Sequence, residues 1–216
     1  MKKGAIFDQD GLLFDTEQLY FQSWHKAAQQ LGVTISNDFC YAVSGSSGEG
    51  MLNIIRHHVP AADPEQLRDL CMALCEEEQK KHLPEKPGIH QILEYFHQNG
   101  WKIAVASSSP KAQVERNLTT AGIRNYFDAV VSGQEVTHGK PHPEIFQRAA
   151  AELGLNPEDC YVFEDSFNGV RAGHAAGCCT VMIPDLVQPD EKLSQQYDFC
   201  CKDFFQVLNK LENGEL

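Results

Sequence analysis

Apolar residues fall along this chain in two rhythms. Short unbroken runs at residues 5–7, 103–106 and 161–163, with 129–131 and 180–183 as two further candidates, have the length and continuity of strands buried on both faces. Between them the spacing turns helical. Ile89, Ile92, Leu93 and Phe96 share one face of a segment over 89–97 that stops at Gly100. Residues 111–121 stop at Gly122, and 143–153 open on prolines and stop at Gly154. Strand, loop, helix with a glycine stop, and strand again predicts an α/β core, a doubly wound, Rossmann-like parallel sheet covered by helices. A last amphipathic helix is predicted over 204–211.

Residues 15–83 break this alternation. They carry no convincing strand and three helical patterns, near 17–31, 48–58 and 64–81. A helical block inserted just after the first strand predicts an all-helical cap domain over the end of the sheet, with residues 1–14 and 84–216 forming the core. Lys80, Lys81, Pro84 and Pro87 mark the return linker.

Composition narrows the classes of function. The 216 residues hold 18 basic and 30 acidic side chains, a formal net charge of −12. Nucleic acid and anionic membrane surfaces both reward a basic face, so neither is the expected partner. No run approaches the roughly 18 apolar residues of a membrane helix. Met1-Lys2-Lys3 is followed by only a few apolar residues before Asp8, which reads as neither signal peptide nor anchor. Eight cysteines are spread over the chain with no zinc-type spacing, so they read as reduced, buried thiols of a cytoplasmic protein. The expected state is a monomer.

Polar motifs stand at four predicted strand ends. Asp8-Gln9-Asp10-Gly11 follows the first strand; residues i and i+2 of extended chain face the same side, so both carboxylates are aimed at one place. Such a pair can divide labour between a nucleophile or metal ligand and an acid/base, and it is also a common way for a strand to end in a turn. Ser107-Ser108-Ser109-Pro110 can hold a phosphate on hydroxyls and amides, or simply cap a helix. Lys140 lies in a Pro-bracketed loop, and Glu164-Asp165-Ser166 leaves another strand. In open α/β sheets ligands bind at the carboxyl ends of strands, so the four motifs converge, and one site explains them better than four separate turns.

These segments, FDQDGLLFDTE at 7–17, VASSS at 105–109, GKPHPEIF at 139–146 and FEDSFNG at 163–169, resemble the haloacid dehalogenase-like phosphohydrolases, in their branch of helical-capped phosphatases and β-phosphoglucomutase-like enzymes. Leu12 departs from the threonine or valine of many members. The resemblance implies Mg²⁺ held by Asp8, the backbone carbonyl of Asp10 and Asp165, with Glu164 steadying the ion's waters or Lys140. It implies Asp8 as nucleophile, Asp10 as acid/base, and Ser107, Ser108 and Lys140 as phosphate-binding groups. The substrate it implies is a small-molecule phosphate ester. A second aspartate at position 10 points to phosphoryl transfer rather than carbon–halogen cleavage.

The cap bears on the choice between phosphatase and phosphomutase. Glu17, at the hinge into the cap, is expected to face the mouth of the site, and Tyr20 to be a cap residue in reach of substrate. The β-phosphoglucomutase-like members carry a histidine where Tyr20 stands and an arginine in the cap's Gly/Ser segment. The stretch 44–50 here has none before Arg56. Without an arginine fork for a second phosphate, water is the expected acceptor. The alternatives are a sugar phosphomutase and, from another class, a non-catalytic binding protein on the same scaffold, which predicts a lost catalytic side chain. Phe21 and Trp24 are expected in the cap's own core.

Overall fold

The computed structural model describes residues 3–81, 83–185 and 188–216, so the reading made on Met1 and Lys2 lies outside the described residues. A six-stranded sheet is assembled from β1 (Gly4–Phe7), β2 (Lys102–Ser107), β3 (Ala129–Ser132), β4 (Cys160–Glu164), β5 (Cys179–Met182) and β6 (Phe199–Cys200). All neighbours are parallel, in the order β3-β2-β1-β4-β5-β6. The order runs outward in both directions from β1, so the switch point of the sheet lies beside that strand, where open α/β sheets keep their ligand crevice.

The uninterrupted apolar runs are explained by two covered faces. Phe7, Val105 and Phe163 belong to one core layer with Phe96 and Phe204. The residues one position earlier, Ile6, Ala104 and Val162, belong to the opposite layer with Ile145 and Phe146. The first layer sits under α5 (Ile89–Gln98) and α9 (Phe204–Glu212); the second lies under α7 (Glu144–Glu152), with α6 (Lys111–Thr120) and α8 (Phe167–Ala176) completing the wrap. Phe7 and Phe163 pair in register and stack at 4.8 Å between centroids. Truncating such a fully buried ring to alanine costs about 3–5 kcal/mol.

The inserted block is all helical: α1 (Glu17–Gln30), α2 (Asn37–Val43), α3 (Gly48–His58) and α4 (Pro64–Lys81). It has its own core, in which Trp24, Phe39, Ile55 and Leu67 are buried. The chain passes from sheet to helices and back through two adjacent segments. Asp15 N donates to Pro84 O at 2.8 Å and Lys86 N to Leu13 O at 3.0 Å. The Lys86 ammonium then ties Asp15 (3.1 Å) to Asp185 (2.6 Å).

Three differences from the sequence reading have physical causes. Helix α2 is only seven residues long, too short to repeat an apolar face, and is started by Ser36, whose hydroxyl accepts from Phe39 N at 3.2 Å. Strand β6 is a two-residue edge strand. Lys80 and Lys81 close the last turn of α4, where they pair with Glu76, Glu77 and Glu78, so the return begins after them. Among the described residues no helix is long and apolar enough to cross a membrane.

Candidate active site

Beyond Phe7 the ladder continues by one bond, Asp8 N to Phe163 O at 3.1 Å, and the chain then turns, with Leu13 N and Phe14 N both donating to Gln9 O. Gly11 makes the turn at φ +85°. A Cβ there would lie 2.2 Å from an Asp165 oxygen and 2.7 Å from Glu17, so glycine serves both the backbone and the close approach of two acidic side chains.

Asp8 faces Lys140. The ammonium is almost fully buried and donates to Asp8 Oδ1 (2.5 Å), Glu164 Oε1 (2.6 Å) and Ala106 O (3.1 Å), which uses all three of its protons. Glu164 spends its other oxygen on the start of α8, accepting from Asp165 N, Ser166 N and Ser166 Oγ at 3.0–3.1 Å. The helix could not approach with any larger residue at Gly169, where a Cβ would overlap the Glu164 carboxylate.

The negative charge outweighs this one cation. Burial, opposed by Lys140 and reinforced by Glu164 and Asp10, pushes the Asp8 carboxyl up to about 8. Burial together with Glu164, Glu17 and Asp8 holds Asp165 well above the ordinary carboxylate range. Burial acts to lower Lys140, but Asp8 and Glu164 outweigh it and keep the ammonium charged. Oxygens of Asp8, Glu164 and Asp165 lie within 4.8 Å of one another, and Asp165 Oδ1 is buried with no hydrogen-bond partner. An orphaned buried carboxylate oxygen in an all-oxygen set suits a hard divalent cation such as Mg²⁺. Away from this site, His138 and His142 on an exposed loop and Glu144 at the start of α7 also bring three ligand atoms together.

Asp10 stands in a different environment, held by neutral donors. Thr16 Oγ1 donates to Oδ1 at 2.8 Å, while Oδ2 accepts from Ser109 Oγ at 2.7 Å, Gln9 Nε2 at 3.2 Å and Ser107 Oγ at 3.5 Å. Thr16 is the N-cap residue of α1, yet its hydroxyl makes no cap bond; it is turned to Asp10 instead. Ser107 is buried and accepts from Ser109 N at 3.0 Å. Ser108 reaches the helical block, its hydroxyl donating to Gly45 O at 3.3 Å.

The helical block closes the other side of the site. Glu17, half-buried, accepts from Ser44 Oγ at 2.8 Å, and burial pushes its carboxyl up to about 8 despite that bond. The Tyr20 hydroxyl meets Ser109 Oγ at 3.4 Å and accepts from Gln113 at 3.1 Å. Asp8, Asp10, Glu17, Tyr20, Ser108 and Asp165 thereby line one cavity of about 420 Å³. Lys140, Glu164 and Ser107 stand behind that wall, bonded to the residues that form it.

Sequence reasoning gave four contributors no such role. Thr16 and Ser109 grip Asp10, Gln113 anchors Tyr20, and Arg68, from α4, lines the cavity beside Asp69, to which it is bonded at 2.8 Å. Ser109 was within reach, being spaced i+2 from Ser107 on the same strand exit. Arg68 was not, because only the packing of α4 along α1 brings it to the cavity. Phe21 and Trp24, expected in the helical core, also line the cavity.

Comparisons with known proteins give the family. The profile of the haloacid dehalogenase-like hydrolases matches residues 5–183. A phosphorylated carbohydrates phosphatase of Thermotoga maritima is 33% identical over 178 residues, 81% of this chain and 82% of that protein. A protein of Drosophila melanogaster named as a probable pseudouridine-5′-phosphatase is 35% identical over 200 residues, 88% of this chain and 85% of that one. Among solved structures, a β-phosphoglucomutase from Clostridium difficile superposes with a TM-score of 0.78 over 100% of this chain and 99% of that chain; at 24% identity the likeness bears on the fold alone. With its profile match spanning most of the chain and relatives of this identity along it, the chain belongs to the haloacid dehalogenase-like hydrolases and is one of that family's phosphatases.

Proposed function

We propose that this protein is a Mg²⁺-dependent phosphatase of small phosphate monoesters, sugar phosphates above all, working through an aspartyl-phosphate on Asp8. The observation that carries the reading is the unlike treatment of two carboxylates at one strand end. Asp8 lies against an ammonium in a buried acidic cluster, whereas Asp10 is held by hydroxyls at the cavity wall. Two carboxyl groups in environments this different suit two roles.

Asp8, Asp165 and the main chain of Asp10 would hold the cation, which supplies the positive charge that lets a phosphate dianion approach an anionic nucleophile. Lys140 keeps Asp8 oriented, and Ser107 and the Ser108 amide take the equatorial phosphate oxygens. An Asp8 oxygen attacks phosphorus in line and the ester P–O bond breaks as Asp10 gives its proton to the leaving oxygen. Asp10 then removes a proton from the water that attacks the aspartyl-phosphate, releasing phosphate and restoring Asp8. Glu164 acts on Lys140 and the start of α8, a positioning role. We place the boundary between core and cap at 14/15 and 83/84, where the two crossing segments pair and Lys86 bridges them. Tyr20 in place of a histidine, and an Arg68 already paired with Asp69, favour water over a second phosphorylated sugar as acceptor.

Phosphate release from p-nitrophenyl phosphate, with and without Mg²⁺, tests this for the native chain and Asp8→Asn. Native turnover that needs the ion, and a loss of roughly 10³-fold or more in the variant, is expected. Equal rates in the two proteins overturn the mechanism.

A further inference from the structure

The loop that carries Lys140 holds a second set of ligating side chains, which the phosphatase reading does not use. His138 and His142, on either side of Lys140, converge on Glu144, the first residue of α7. His138 Nδ1 lies 3.1 Å from Glu144 Oε2, and His142 Nδ1 lies 3.9 Å from the same carboxylate oxygen. The two imidazole rings are 4.6 Å apart between centroids. Ligand atoms at about 2.0–2.1 Å from a tetrahedral Zn²⁺ stand about 3.3 Å from one another, so the two separations to Glu144 bracket what a bound ion requires. Among the described residues only two groupings of His, Cys, Asp and Glu are this tight, and the other is the buried acidic cluster around Asp8.

Two features go beyond proximity. The Glu144 carboxylate is held in place: Oε1 accepts from Thr137 N at 2.7 Å and Oε2 from His138 N at 3.0 Å, and ligating carboxylates are ordinarily braced by hydrogen bonds of this kind. Glu144 N donates to His142 Nδ1 at 3.3 Å, so this nitrogen carries the lone pair and the neutral ring has its proton on Nε2. An amide in the first turn of a helix can turn to water when a cation takes that lone pair. The side chains of His138 and His142 are 62% and 48% exposed, which gives an ion an open path of entry and leaves room for water in its remaining positions. Two imidazoles and one carboxylate suit an ion of borderline softness, whereas the all-oxygen set of Asp8, Glu164 and Asp165 suits Mg²⁺.

We propose that His138, His142 and Glu144 form a transition-metal site for an ion of the Zn²⁺ or Cu²⁺ class, separate from the acidic cluster, and that its occupancy fastens the loop between the two histidines. That loop faces two ways. Lys140 runs inward to Asp8 and Glu164, while Gly139 lies so close to the helical block that a Cβ there would overlap the Ser47 hydroxyl. An ion joining His138 to His142 closes the chain on both sides of these two residues. The site is independent of the reaction carried out at Asp8.

The test titrates Zn²⁺ by calorimetry into protein kept in excess Mg²⁺, which competes for oxygen ligands and leaves imidazole free. One equivalent is expected to bind the native chain, with affinity reduced roughly tenfold or more in His138→Ala and in His142→Ala, both exposed positions, and unchanged in His57→Ala. One equivalent of Cu²⁺ adds a signature that a carboxylate site lacks, the nitrogen hyperfine coupling of imidazole in its electron paramagnetic resonance spectrum. That coupling is expected in the native chain and absent from the double variant His138→Ala/His142→Ala. The amides of Thr137 and His138 should exchange with solvent several-fold more slowly once Zn²⁺ is bound. Cu²⁺ without nitrogen coupling, coupling that survives in the double variant, or equal Zn²⁺ affinity in the native chain and the His138 and His142 variants overturns the site. Exchange unaltered by bound Zn²⁺ overturns the fastening of the loop.

Discussion

The floor and the roof of the cavity are held in opposite ways. On the floor one buried ammonium is locked between two buried carboxylates, and backbone amides complete the cluster. The roof touches the floor through neutral contacts such as Tyr20–Ser109, Ser108–Gly45, Asn168–Ser44 and Gln113–Gln79, with Arg116–Glu76 as a half-exposed ion pair at the margin. Charge is concentrated where geometry must be fixed before substrate arrives. Neutral bonds, each worth about 1 kcal/mol net, stand where the helical block meets the core. The difference teaches where a substitution damages folding and where it changes closure only.

The largest expected effect comes from breaking the floor. Lys140→Met keeps an unbranched side chain but removes the cation, which also stands 4.9 Å from the Phe146 ring centroid, leaving Asp8 and Glu164 buried without their counter-charge. Loss of one partner from a buried pair costs about 3–5 kcal/mol. Urea unfolding without divalent ions should register that loss, and turnover with Mg²⁺ should fall by roughly 10²-fold or more. A loss near 1 kcal/mol would mean the floor is no more rigid than the roof.

A second, smaller effect sharpens the same contrast through pH. The Asp8 carboxyl, ordinarily near 3.8, is pushed up to about 8 in the native protein, so between those values the folded state holds a proton that the unfolded state has released. With the folded state binding more protons, stability without divalent ions falls as pH rises through that window and levels off above it. Mg²⁺ competes with that proton and relieves the repulsion, so the rise in Tm on adding it should be small near pH 5 and reach several degrees near pH 8. Thermal melts at the two pH values, with Mg²⁺ and with EDTA, make the measurement. A rise equal at both would separate ion binding from the Asp8 cluster.

The same division explains what could be read from the chain. The core was legible because each of its features is local: a strand buried on both faces is a continuous apolar run, and Asp8, Ser107 and Glu164 each sit where such a run ends or just beyond it. Parallel strands of similar length then bring those ends to one edge. The roof is not local. Glu17 and Tyr20 could be placed because they follow the hinge at a fixed distance, and Ser44 or Arg68 could not, since their positions depend on how four helices pack. Asp10 lies between the two cases. Its place was readable, but its partner Thr16 was not, because the hydroxyl of α1's N-cap residue makes no cap bond and is turned to the acid.

The smallest expected effect is at the margin of the roof. Arg116 Nη1 lies 3.1 Å from Glu76 Oε1, joining α6 of the core to α4, and both side chains are more than a third exposed, at 37% and 41%. Water screens such a pair and ordering two long side chains offsets part of the gain, so Arg116→Ala should cost about 0–1 kcal/mol in urea unfolding. Because the pair spans the two bodies, its loss can still act on closure: the closed state loses a contact that the open state lacks, and KM should rise slightly while kcat of bound substrate stays put. A stability loss approaching that of Lys140→Met would make the helical block and the sheet one cooperative unit. The contrast between a fixed floor and a separable roof would then fail at its weakest joint.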